Sequence, residues 1–135
     1  MNINELIMVG DWVMYNPNIF IEDEYEPAQS KYATKITNGE DIDLAVEGCY
    51  EPIPLTEEFF EKNFILNNKI LSTYKIYESK DQRIRITDLT NSGEGYWNVH
   101  VDNEYFETIG SCDVKYVHQF QQFLRLCGYE MDVVV

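Results

Sequence analysis

Apolar and polar positions alternate with a period of two along most of this chain and change to a helical period twice. In the first third, short apolar runs at 6–9, 12–15, 19–21, 32–36 and 42–46 are cut by Gly10-Asp11, Asn16-Pro17-Asn18, Pro27 and Asn38-Gly39. Tyr32, Thr34 and Ile36 alternate with Lys31 and Lys35, and Ile42, Leu44 and Val46 with Asp41, Asp43 and Ala45. Asn-Gly suits a tight hairpin, because both residues tolerate the left-handed backbone such a turn requires. Four or five short strands with tight turns predict a small barrel or curled sheet of the Src-homology-3-like kind. A sheet of another topology would carry the same pattern.

The period changes at 51–64. Pro52 and Pro54 fix their own backbones and hold Glu51 and Ile53 extended. Thr56 is placed to cap a helix with its hydroxyl, Glu57 and Glu58 then sit at the positive end of the helix dipole, and Leu55 with Phe60 occupies the positions of a hydrophobic staple. The helix is expected over Glu57–Asn63. Two turns do not persist alone, so Phe59, Phe60 and Phe64 must be buried by tertiary contacts. The helix is therefore expected where the two lobes meet, making them one folding unit.

Alternation resumes afterwards. A brief apolar link at 65–68 leads to a strand at 69–77 and a turn at 79–81. Ile84 and Ile86 then point inward against Arg83 and Arg85. Trp97, Val99 and Val101 share one face of the clearest strand, with Tyr96, Asn98 and His100 on the other. A last strand is expected at 105–109. One face of this antiparallel meander needs a cover. Val117, Phe120, Leu124 and Cys127 recur at helical steps, which predicts a helix over 114–127 with Asp113 as N-cap, Gly128 just past its end and Arg125 in its last turn. The tail 129–135 reads as an edge strand or a frayed end. The fold class is thus α+β: a β lobe at 1–50, then an α+β lobe at 51–135 of short helix, meander and C-terminal helix.

Composition changes this picture mainly through charge. The 135 residues hold 24 acidic and 10 basic side chains, a net charge of −14. Such a field repels phosphate backbones and anionic lipid, which argues against direct nucleic-acid or membrane binding; it could dock a basic protein partner, with solubility the plainer reading. An acidic surface imitating nucleic acid is a minor alternative. No apolar run is long enough to span a bilayer, and the N-terminus lacks the basic and apolar regions of a signal peptide. Three cysteines, an odd number without a CxxC pair, read as free thiols in a reducing compartment, so the protein is expected in the cytoplasm.

Few residues invite chemistry. His118, Cys112 and Asp113 are close enough in sequence to imagine a nucleophile set, with Cys112 just before a helix N-terminus, but such sets are recognised by geometry and a boundary histidine is the plainer reading. Cys112, Cys127, His100 and His118 match no compact zinc spacing. No metal or cofactor is expected. Arg83 and Arg85 could hold an anion with His100, against the plainer account of cross-strand pairing with acids. Glu22, Asp23, Glu24 and Glu26 form a solvated acidic edge. Of Tyr74, Tyr77, Tyr96, Trp97, Tyr105 and Phe106, most should be core, and any exposed ones would mark a partner surface.

Three segments together carry a resemblance: Leu6 through Val9-Gly10-Asp11-Trp12-Val13, the 51–56 connector, and Lys115-Tyr116-Val117-His118-Gln119 leading to Leu126-Cys127-Gly128. In this order they resemble short uncharacterised proteins encoded in gut Bacteroidetes genomes, often beside phage or other mobile-element genes. The resemblance implies a bacterial, cytoplasmic accessory protein and brings no site residues with it. The function expected is non-enzymatic: an acidic surface on residues 19–47 docking a protein partner. A small-molecule-binding or hydrolytic domain using His100, Arg83, Arg85 or His118 is the alternative. The partner's identity and the oligomeric state have no signal in the sequence.

Overall fold

Strand β1, Trp12–Tyr15, is flanked by β2, Tyr32–Lys35, and β3, Tyr50–Glu51, in an antiparallel sheet of order β2-β1-β3. The computed structural model describes residues 10–16, 30–37, 50–67, 73–92 and 95–135, which fall in two units, Met1–Ile53 and Pro54–Val135. In the first unit Val13 and Ile36 are fully buried. The Tyr15 ring lies 5.1 Å from Tyr32 and 5.6 Å from Tyr50, so one aromatic row crosses all three strands. Lys31 Nζ donates to both Glu51 carboxylate oxygens at 3.0 and 2.9 Å, an exposed pair that contributes at most about 1 kcal/mol. Gly10, at φ +95°, adopts a backbone costly for other residues, and its N–H reaches Ile36 O at 2.7 Å.

The strands expected at 6–9, 19–26 and 42–46, and the Asn38-Gly39 turn, lie outside the described residues. Those described form an open sheet with no closed barrel among them. β3 reaches from the N-terminal lobe into Glu51, the first residue that the proline pattern assigned to a connector.

In the second unit, helix α1 spans Glu57–Asn63, and Thr56 caps it by accepting the Phe59 N–H at 3.2 Å. Strands β4 (Ile65–Leu66), β5 (Ile76–Glu78), β6 (Ile84–Leu89), β7 (Tyr96–Asp102) and β8 (Thr108–Val114) follow, and helix α2, Val117–Leu126, closes the unit. The sheet is a pure antiparallel meander, β4-β5-β6-β7-β8. Tyr77, Ile84, Ile86, Trp97, Val99 and Val101 form its buried face. Phe60 is fully buried on that face, with ring centroids 4.5 Å from Trp97, 5.8 Å from Tyr77 and 5.7 Å from Phe120 of α2. Phe59 and Phe64 also meet Phe120, at 5.8 and 5.7 Å. The three phenylalanines are thus buried as their helix required, and their described ring partners all belong to Pro54–Val135.

Several boundaries differ from the sequence reading. The 65–68 link contains an edge strand, β4. The strand expected at 69–77 is described only at Ile76–Glu78. The last strand begins at Thr108, not 105, because 103–107 is a turn. It runs through Cys112 and Asp113, so Asp113 is a strand residue and not a cap. Tyr116 takes the N-cap place, and Gln119 Oε1 accepts the Tyr116 N–H at 3.3 Å and the Lys115 N–H at 3.0 Å. The far end matches expectation: Gly128, at φ +71°, donates to Arg125 O, and Tyr129 donates to Leu124 O, the paired bonds of a Schellman cap. The connector also does more than link, since Leu55 N–H donates to Lys115 O at 2.9 Å and Pro54 bridges Tyr116.

The tail is neither strand nor frayed. Val133 is buried, and Asn63 at the end of α1 holds its neighbour: Val134 N–H donates to Asn63 Oδ1 at 2.7 Å, and Asn63 Nδ2 donates to Val134 O at 2.9 Å. A side-chain amide here offers the same donor and acceptor pair as a strand backbone.

Candidate functional site

The outer face of the five-stranded sheet is polar because the same alternation that buries Trp97, Val99 and Val101 turns Asn98, His100 and Asp102 outward. It brings together three residues singled out in the sequence. Arg85 and His100 are cross-strand partners. Arg85 Nε lies 3.5 Å from Glu78, and His100 Nε2 lies 2.8 Å from Asp102 Oδ1. Arg83 precedes β6, donates through Nε to Asp102 O at 3.0 Å, and places its guanidinium 5.0 Å from the Tyr129 ring centre. Arg85 thus pairs with an acid across strands, His100 with an acid of its own strand, and Arg83 with a backbone carbonyl and a ring. Nearby, Asp81 accepts from Ser79 Oγ at 2.6 Å, Tyr129 Oη at 2.8 Å and the Arg83 N–H at 3.1 Å. Partial burial pushes the Asp81 carboxyl up, but these bonds and the Arg83 charge outweigh it and hold it below the usual carboxylate range.

His118 and Cys112 differ in setting. His118 is buried on α2, its ring stacked on Tyr116 at 6.0 Å and 15°. Cys112 is exposed on β8, and its thiol donates to Asp113 O at 3.5 Å. Cys112 and Asp113 are consecutive strand residues, so their side chains leave opposite faces of the sheet. Asp113 instead accepts from Asn98 Nδ2 at 3.0 Å. The helix N-terminus expected just after Cys112 lies instead at Val117, since the strand extends through Cys112 and Asp113. Cys127, half-buried, has its thiol pushed up by burial and second by the Cys112 thiol. No group of three or more His, Cys, Asp or Glu among the described residues could hold a metal ion. Glu22, Asp23, Glu24 and Glu26 lie outside the described residues.

An open cleft of about 320 Å³ lies along β4 and the β5–β6 turn, lined by Ile65, Leu66, Asn67, Glu78, Ser79, Lys80 and Gln82. It contains none of the histidines or cysteines. Its one acid, Glu78, is already bound by Asn67 Nδ2 at 2.9 Å and by Arg85.

The most distinctive surface is the β7–β8 turn. Asn103 organises it: its N–H donates to Glu107 O at 2.8 Å, its O accepts the Phe106 N–H at 3.0 Å, and its side-chain Oδ1 accepts the Tyr105 and Glu107 N–H groups at 2.8 and 3.0 Å. Four hydrogen bonds of the turn backbone are therefore gathered on one residue. At its tip Tyr105 is 75 % exposed and Phe106 61 % exposed, with Ile109 beside them at 44 %. Phe106 sits at φ +60°, the left-handed region that glycine or asparagine normally fills. Two aromatic rings are held in water on a fixed turn, one of them on a backbone it disfavours. From 102 to 114 the chain carries Asp102, Glu104, Glu107 and Asp113 with no lysine or arginine. Of the six aromatics weighed from the sequence, Tyr77 and Trp97 are core, while Tyr74, Tyr105 and Phe106 are exposed. The signal that could have placed this turn is the adjacency of Tyr105 and Phe106: neighbours in a strand cannot both face the core.

No family model, no curated protein and no solved structure matches the chain.

Proposed function

We propose that this chain is a non-enzymatic interaction protein that docks a basic protein partner through an acidic surface bearing the aromatic pair Tyr105 and Phe106. The observation that carries the reading is the turn itself. Exposed aromatics on a pre-organised loop lose little entropy on binding, and tyrosine and other aromatics are the side chains from which interface anchors are most often made. Carboxylates around them favour a partner rich in lysine or arginine and speed its encounter. The net charge of −14 extends the same preference over the whole chain. The setting proposed with it, a bacterial cytoplasmic accessory protein of phage or mobile-element neighbourhoods, rests on the resemblance of the three segments. A barrel-like, Src-homology-3-like closure of the N-terminal unit belongs to the same proposal and draws support from the antiparallel order β2-β1-β3.

The test is affinity capture with three baits, each checked to be folded: the native chain, Tyr105→Ala with Phe106→Gly, and Glu22, Asp23, Glu24 and Glu26 all changed to Lys. A salt-sensitive partner retained by the first and lost by the second is the expected result. The third bait reports whether the acids of residues 19–47 share the contact. A partner list unchanged by both variants refutes the reading.

A further inference from the structure

The two edges of the five-stranded sheet are unequal. At one edge β4 has two residues, too short to template another strand. At the other, β8 has seven, and among the described residues it is paired along one side only, to β7. Natural sheets protect such an edge with lysine, proline, brevity or a bulge. Residues 108–114 contain no lysine and no proline. The register changes between Val101 opposite Gly110 and Asp102 opposite Thr108, which leaves Ile109 as the extra residue of a bulge. Beyond it Gly110 to Val114 run in unbroken register, with Ser111, Cys112 and Asp113 exposed. Beyond this bulge, an edge with no lysine, no proline and no second partner strand among the described residues thus begins beside the aromatic turn.

We infer that the β8 edge accepts an extended, lysine- or arginine-bearing segment of the partner as an added antiparallel or parallel strand, a mode that deepens, and rests on, the interaction reading above. Backbone hydrogen bonds supply the affinity in this mode, and flanking side chains supply the choice of partner. Charge selects the occupant. A second copy of the chain would set Asp102, Glu104, Glu107 and Asp113 against the same four carboxylates. A basic segment neutralises them, while its apolar residues meet Ile109 and the Tyr105–Phe106 tip.

Cys112 lies on the edge and reports its occupation. With Cys49 and Cys127 changed to Ser it is the one remaining thiol of the three. The probe is a synthetic ten-residue peptide of alternating lysine and valine, and its control carries an N-methyl group on every backbone amide, which keeps the charge but removes the donors of both edges. At about ten times Kd the free edge falls to about a tenth, so alkylation of Cys112 should slow about tenfold with the probe and stay unchanged with the control. Equal slowing by both peptides, or none at millimolar peptide, overturns strand addition. A dimer in sedimentation without peptide, with Cys112 already protected, overturns it in favour of a second copy. Capture that still depends on Tyr105 and Phe106 when the peptide fails leaves the interaction reading standing, so the two failures are distinguishable.

Discussion

Phe60→Ala should destabilise the Pro54–Val135 unit more than any other single truncation of its aromatic core. Phe60 is fully buried, and five rings have centroids within 6.0 Å of its own: Phe59, Phe64, Tyr77, Trp97 and Phe120. A phenylalanine buries on the order of 150–250 Å². Removing such a ring from a packed core costs about 3–5 kcal/mol, since transfer and cavity terms add. Five ring neighbours restrict collapse around the void, which places the cost near about 4 kcal/mol. With a urea slope of about 2 kcal/mol/M the midpoint should fall by about 2 M. Phe59, with two such neighbours, should cost nearer about 3 kcal/mol. Trp97 is the natural reporter, and Trp12→Phe leaves it the only tryptophan of the two. Phe60→Leu, which keeps most of the volume, should cost no more than about 2 kcal/mol and guards against a variant that does not fold. A midpoint shift below about 0.5 M for Phe60→Ala, with the slope unchanged, would refute the assignment of Phe60 as the centre of this core.

Three further outcomes are expected. Phe106→Gly should raise stability by about 0.5–1 kcal/mol in thermal or urea unfolding, because glycine takes φ +60° without strain, while partner capture falls; a loss of stability would show that the Phe106 ring is structural. Gly110→Ala should be tolerated within about 0.5 kcal/mol, since its new methyl would meet Phe123 at 3.5 Å and Cys127 Sγ at 3.9 Å, ordinary contact distances; a large loss in unfolding would show that α2 cannot accept the methyl. Because the Asp81 carboxyl is held below its usual pKa, its contribution is present above the ordinary carboxylate pKa and is lost as pH falls through the lowered one. Acid unfolding of Asp81→Asn should accordingly lack the part of the native pH dependence that lies at and below about pH 4, and a profile identical to native would discard the Ser79–Asp81–Tyr129 cluster as its source.

Legibility in the sequence followed the physics of each element. The Thr56 cap, Glu57–Asn63, the two faces of β7 and the Gly128 cap all come from local rules: hydroxyl capping, alternation, and glycine at positive φ. The start of α2 was misplaced by three residues because Asp113 looks like a cap, while its real employment is a cross-strand bond to Asn98. That pairing depends on a strand fifteen residues away, which no local rule sees. β3 and β4 are described over two residues each, too few to show an alternation of their own. The candidate surface was legible only as a condition: exposed aromatics would mark it, but which aromatics are exposed depended on where a turn held by the Asn103 side chain begins. Alternation puts Arg83 and Arg85 on one face of their strand and His100 on the polar face of its own, while the cross-strand partnership of Arg85 and His100 comes from a register that no local rule gives.

The aromatic cluster also fixes an order of events during synthesis. Phe60 and Phe120 are sixty residues apart, yet their rings pack edge to face at 5.7 Å. A ribosome adding about 5–20 residues per second needs about 3–12 s to travel that distance. Phe59, Phe60 and Phe64 therefore emerge from the exit tunnel ahead of the helix that covers them by about the same interval. The nascent chain therefore offers a short apolar segment to chaperones until α2 emerges, and the second unit completes its core only after its last helix has been made.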